Sequence, residues 1–252
     1  MPSPAVSLEQ RITRLAHAGI QVLRAWPLSD GAVTPPDVAW EAFGCDATTT
    51  RVDRTVDNDD PDYVVRGNEM WHSMAREFGL FDADGTFLLS VRTGPGDFED
   101  PQWFEVRLAP EWDLFGRGVE ELVLGHGERT PGFVMHSKDG ALLLASGWYQ
   151  FVSTVLVVPR PWTAAALRRS AKDRLAKRER TEERRTAARQ WLARPSGVAR
   201  QGSPQREAPA RSQPGRADRL GCAAGPQDSS DDPAGAAAST TARAGQGAAP
   251  GR

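Results

Sequence analysis

His126, Glu128 and His136 are the side chains of this sequence whose types and spacing best suit proton transfer. An imidazole titrates near neutral pH, and a neighbouring carboxylate can orient it or share its proton. Strand alternation through GHGERTPG puts His126 and Glu128 on one face, and the return strand carries His136. Whether the imidazoles meet depends on the turn. If Gly127 pairs with Gly132, His136 points to the other face; a loop one residue longer or shorter brings both onto one. The other histidines, His17 and His72, fall in expected helices. No GxSxG elbow, HExxH helix or triad order accompanies any of them. A small hydrolase-like enzyme using His126, Glu128 and His136 is therefore an alternative reading, and no catalytic residue is assigned.

The second grouping is NDDPDYVVRGNE, Asn58 to Glu69. Against a calcium-loop template, Asn58, Asp60, Asp62 and Glu69 occupy ligand positions and Val65 the apolar one, but Tyr63 stands where the turn needs Gly. The same residues make a strong helix start, with Asp60 as N-cap, Pro61 in the first turn and Asp62 at the positive end of the dipole. The cap is the expectation, and Asn58, Asp60, Asp62 and Glu69 are the fallback metal ligands. One geometric fact separates the two: whether Tyr63 to Arg66 is helical. DADGT, at 82–86, has its Gly too early for a calcium loop and suits a hairpin tip. Neither GxGxxG nor GxxxxGK[ST] occurs, so no cofactor is expected.

Charge divides sharply along the chain. Residues 1–163 carry 13 basic and 24 acidic side chains, whereas 164–194 carry 11 basic and 4 acidic. Seven of the eight Trp, both Tyr and all nine Phe lie before residue 164. Beyond Pro195 there is no aromatic residue, and such a segment cannot bury enough surface to offset the entropy of ordering. These shifts define an acidic α+β domain at 1–162, a basic charged helix at 163–194 and a disordered low-complexity tail at 195–252. Cys45 and Cys222 imply no disulfide framework.

The elements that must position the candidates follow from periodicity. Ser7 and Gln10 form a capping box before a helical apolar pattern reaching Trp26, and Thr34, Pro35 and Gly44 bracket a short second helix. A third helix ends near Phe78. Hairpins are expected around Asp84-Gly85 and Asp139-Gly140, further strands at QWFEVRL, VEELVLG and Val152–Val158, and one long helix from Thr163 to Arg194. The uncharged stretch ALLLASGWYQFVSTVLVVP has the length of a membrane span, but Gly147 to Gln150 interrupt it and its second half is β-branched. The expected fold is α+β: N-terminal helices on one face of a mostly antiparallel sheet of six or seven strands, then the basic helix. Among the aromatics, Trp112 is the one expected to be exposed.

Function is expected to be non-catalytic protein binding in the cytoplasm, with no membrane association. The partner is another protein, or a second copy met through 163–194 in coiled-coil fashion. A DNA-binding regulator is the further alternative, through Thr34–Arg54, which resembles a helix-turn-helix, or through the basic helix; the acidic body opposes it by repelling phosphates.

Overall fold

The computed structural model describes residues 6–28, 31–47, 50–93, 101–176 and 181–195. The tail expected after Pro195 and residues 94–100 lie outside these described residues.

Among the described residues seven strands form one antiparallel sheet: β1 (Ile20–Ala25), β2 (Val52–Asp57), β3 (Thr86–Arg92), β4 (Pro101–Leu108), β5 (Phe133–His136), β6 (Leu142–Tyr149) and β7 (Val152–Pro159). Their order is β1-β4-β3-β5-β6-β7-β2. Central strands are apolar on both faces. Phe87, Leu89, Phe104, Met135, Leu144 and Val157 join one core; Leu88, Trp103, Val134, Leu143, Leu156 and Val158 join another. A sheet with that pattern must be covered twice. On the first face lie α1 (Leu8–His17) and α3 (Tyr63–Glu77); on the second lie α2 (Pro36–Ala39), a 3₁₀ turn (Trp40–Gly44), α4 (Ala165–Ala176) and α5 (Glu182–Ala193). The α+β class holds, with helices on two faces rather than one.

Several elements differ from expectation for identifiable reasons. The capping box of α1 forms, but the helix stops at His17. Gly19 turns with φ +78°, packed where any Cβ would overlap Glu111 and Trp112, and the chain continues as β1 beside β4. Asp84-Gly85 lies in a turn between α3 and β3, with no strand before it, whereas Asp139-Gly140 does join paired strands β5 and β6. VEELVLG is not a strand. Asn68 Oδ1 accepts the Leu114 and Phe115 N–H groups, and the Asp113 carboxylate accepts those of Gly116 and Arg117, winding Leu114–Gly118 into one π-helical turn ahead of irregular chain.

In place of one helix over 163–194 the structure describes α4 and α5, with 177–180 outside the described residues. Arg168 donates to the carbonyls of Leu192 and Arg194. A single straight helix would hold these residues roughly 36 Å apart. Leu167, Ala171 and Trp191 are fully buried in the second core, and Arg174 pairs with Glu41 at 2.7 Å and Asp37 at 3.6 Å. The basic segment thus lies on its own acidic body. The Thr34–Arg54 likeness fails at its second helix, since Val52–Asp57 is a strand. No helix among the described residues is long and apolar enough to cross a membrane; the apolar stretch at 141–159 is the β6–β7 hairpin.

An ion cluster closes one end of the second face. Lys138 Nζ meets Asp82 at 2.7 Å and Glu105 at 2.6 Å, and Arg24 meets Glu105 at 2.6 Å. Burial by itself pushes the Asp82 carboxyl up, but hydrogen bonds from Lys138 and Thr86 and the Lys138 charge outweigh it and hold the group at about 2. Its folded value is depressed, so its contribution is complete above the unfolded value near pH 4 and vanishes as pH falls toward 2. Urea unfolding at pH 4.5 and 2.5 is expected to show wild type losing up to about 2 kcal/mol more than Asp82→Asn across that interval. A second prediction concerns Gly67 inside α3. Its missing Cβ makes room for the Phe115 ring. Gly→Ala in an open helix stabilises by about 1 kcal/mol; Gly67→Ala is expected to lower stability by about 1–3 kcal/mol through overpacking, measured by thermal or chemical denaturation.

Candidate functional site

Tyr63 to Arg66 is helical, so the acidic turn is a helix entry and Glu69 lies well inside α3. The N-cap is Asp62 rather than Asp60. Asp60 instead accepts the Asp62 N–H at 2.8 Å and pairs with Arg66. Asn58 Oδ1 accepts a hydrogen bond from Ser153 Oγ at 2.8 Å, and Ser153 Oγ lies 2.8 Å from the Tyr63 hydroxyl. The turn does hold a cation, and it is the chain's own. Arg129 Nη1 donates to the carbonyl oxygens of Asn58 and Asp60, while the guanidinium stacks over Tyr63. Tyr63 in return donates to the Arg129 carbonyl at 3.1 Å. Burial pushes the Tyr63 phenol up despite Ser153 and Arg129. Among the described residues no cluster of three or more His, Cys, Asp or Glu side chains is arranged to hold a metal ion.

The histidines do not converge. Thr130 N–H donates to Gly127 at 2.9 Å, closing a two-residue turn in which both Glu128 (φ 46°) and Arg129 (φ 59°) are left-handed, as a type I′ turn requires. Glu128 is exposed at the tip. His126 is exposed and sits beside Gly132 at the edge of a small cavity with Arg11, Trp40 and Arg92. His136 lies four residues further along β5, roughly 13 Å away. It is fully buried: its Nε2 faces Thr34 Oγ1 at 3.0 Å and the Thr34 N–H, its Nδ1 faces the Ser137 carbonyl at 2.9 Å, and Trp103 packs edge-on. These bonds tie the loop before α2 to the sheet. Cys45 is buried too, its thiol pushed up to about 11 by burial against the opposing Arg51 charge, which suppresses the nucleophilic thiolate.

What sequence reasoning missed is the surface at the opposite end from the ion cluster. The β6–β7 hairpin projects Trp148, Tyr149 and Phe151, which are 49, 70 and 71% exposed, while Trp112 is half-buried against Trp71. Tyr149 pairs with Val152 across a two-residue loop, and only Gln150 takes positive φ (53°). That is the pattern of a type II′ turn, whose first position ordinarily holds Gly. Cross-strand neighbours extend the surface. Asp57, Val152 and Tyr149 form one row on the second face; Thr55, Thr154 and Gly147, with Phe43 packed on Gly147, form the next. Phe43 is 42% exposed. The detectable signal was GWYQF at a hairpin tip, three aromatics around a turn with no room to turn inward.

Among the described residues β2 is the sheet edge here and pairs only with β7. Asn58 N–H donates to Phe151 at 2.7 Å, opposite it in register. Antiparallel alternation then directs the backbone groups of Val52, Arg54 and Val56 to β7 and those of Asp53, Thr55 and Asp57 outward. All three outward residues are exposed. On the first face a groove of about 500 Å³ runs beside the same strand, lined by Arg54, Val56, Arg66, Glu69, Met70 and Ser73.

No family model matches the chain, and no curated protein or solved structure matches it either.

Because Gln150 holds a backbone conformation that favours Gly, Gln150→Gly is expected to stabilise the fold by about 0.5–1 kcal/mol while leaving the aromatics in place. Urea midpoints compared at constant m-value check this.

Proposed function

We propose that this chain is a cytoplasmic, non-catalytic protein-binding module whose contact surface is the hairpin tip and the adjoining β2 edge. One observation carries the reading: Trp148, Tyr149 and Phe151 stand exposed around one hairpin turn. Large aromatics are the residues that most often dominate binding energy at interfaces, because they bury much area at low conformational cost. The acidic character of the body supports a protein partner over nucleic acid. Five Asp face two Arg between residues 51 and 62, directly beside the tip, a field that repels phosphates. The basic segment is a weaker candidate for the contact, since the apolar positions of α4 and α5 are used against the sheet.

A photo-crosslinking residue placed at Tyr149 or Phe151, in cells that naturally express the protein, tests this. A discrete protein adduct is expected from both positions and none from Arg107, on the far side of the sheet. Trp148→Ser combined with the cross-linker at Phe151 is expected to reduce the adduct at least fivefold with Tm unchanged. Equal yields from Arg107, or no adduct at the tip, refute the reading.

A further inference from the structure

We infer that the β2 edge binds its partner by strand addition, and that the added strand is an extended segment alternating cationic and aliphatic residues. The inference rests on the protein-binding reading of this end of the molecule and specifies its mode.

An edge strand offers a ladder of unused donors and acceptors, which an extended peptide can complete. Here the outward groups are the N–H and C=O of Asp53 and Thr55 and the N–H of Asp57; the Asp57 carbonyl already accepts the Asp60 N–H at 3.2 Å. Three exposed residues in a row thus give a partner strand several backbone bonds. The side chains select which partner. On the second face, the added strand's residues run past the Asp57 carboxylate, with exposed Asp59 and Asp62 just beyond; Asp53 faces them too but is paired with Arg51 at 2.9 Å. Cross-strand charge pairing favours Arg or Lys at those positions. On the first face, the intervening residues lie along Val52, 40% exposed, and the groove floored by Met70 and the buried Val56. There Arg54 is held by Glu77 at 2.6 Å and Arg66 by Asp60, so their charges are already answered and an aliphatic side chain fits. With the added strand antiparallel to β2, the resulting pattern is (Val-Arg)n, with each Arg N–H directed at β2.

The same charges disfavour a second copy in this position. Antiparallel self-pairing centred on Thr55 sets Asp53 against Asp57 of the copy.

The experiment uses the full chain and synthetic peptides followed by fluorescence anisotropy. Ac-(Val-Arg)5-NH2 is expected to bind, and Ac-(Val-Glu)5-NH2 to bind at least tenfold more weakly. N-methylation of the Arg nitrogens removes the donors aimed at β2 and is expected to abolish binding. N-methylation of the Val nitrogens leaves charge and composition the same and is expected to retain it. Thr55→Pro, which removes an outward N–H without touching the β2–β7 ladder, is expected to weaken binding at least tenfold with Tm unchanged. Should that variant not fold, Asp53→Lys with Asp57→Lys gives the same loss and leaves the backbone alone. Equal binding of the two methylated peptides would reduce the effect to nonspecific electrostatics and overturn the inference, as would equal binding of the Val-Glu peptide or no binding at millimolar concentration. Sedimentation of the wild type as a dimer that Thr55→Pro dissociates would make a second copy the occupant and overturn it also. Cross-links at Tyr149 without peptide binding would leave the protein-binding reading intact and remove only this mode.

Discussion

Strands that are apolar on both faces cannot border water on either, and the rest of this structure follows from that constraint. Leu88 lies between Phe87 and Leu89, and Leu143 between Leu142 and Leu144, so each central strand feeds two cores at once. Antiparallel sheets often leave one face wet; this one has too little polar surface in its middle strands to do so. The N-terminal helix and α3 cover one side. The other side is covered by α2 and by the two basic helices, which are held at the surface of an acidic domain by burial of Leu167, Ala171 and Trp191 more than by their charges. Exposed ion pairs such as Arg174 with Glu41 add register at small energetic gain.

Polar groups that resemble sites mostly fasten the periphery of those cores. His136 ties the loop before α2 to the sheet through Thr34. Lys138 joins the turn before β3 to β4. Arg129 reaches from its turn to the entry of α3 and supplies a guanidinium where a metal ion was conceivable. In each case a buried or partly buried polar group is satisfied by partners distant in sequence, as burial demands. Asn68 and Asp113 do the same for the π-helical turn, binding four of its N–H groups.

The end of the sheet around β2 is the exception. Its aromatics are exposed, its turn is strained at Gln150, and its outward backbone groups face solvent. Aspartates at the edge guard against pairing with an identical strand. Those same aspartates leave the edge open to a strand of opposite charge. Protection from self-association and selection of a partner are two effects of one charge arrangement.

By itself the sequence determined what depends on neighbours close along the chain. The capping box of Ser7 and Gln10, the helix ending near Phe78, the Asp139-Gly140 hairpin and the strands at QWFEVRL and Val152–Val158 were all legible, because local hydrogen bonds and alternation decide them. The acidic start of α3 was legible as a helix entry, though two residues early, since Asx-turn geometry at Asp60 competes with capping. Tertiary structure decided the rest. Ile20 to Ala25 continues a helical apolar pattern, yet pairing with β4 makes it a strand. A uniform helical pattern from Thr163 to Arg194 becomes two helices, because only a fold-back lets Leu167 and Trp191 both reach the second core. His126 and His136 looked like partners because alternation constrains faces but not distance along them. The exposed edge appeared nowhere in the sequence, because which strand ends last in a sheet is set by the order in which all seven pair.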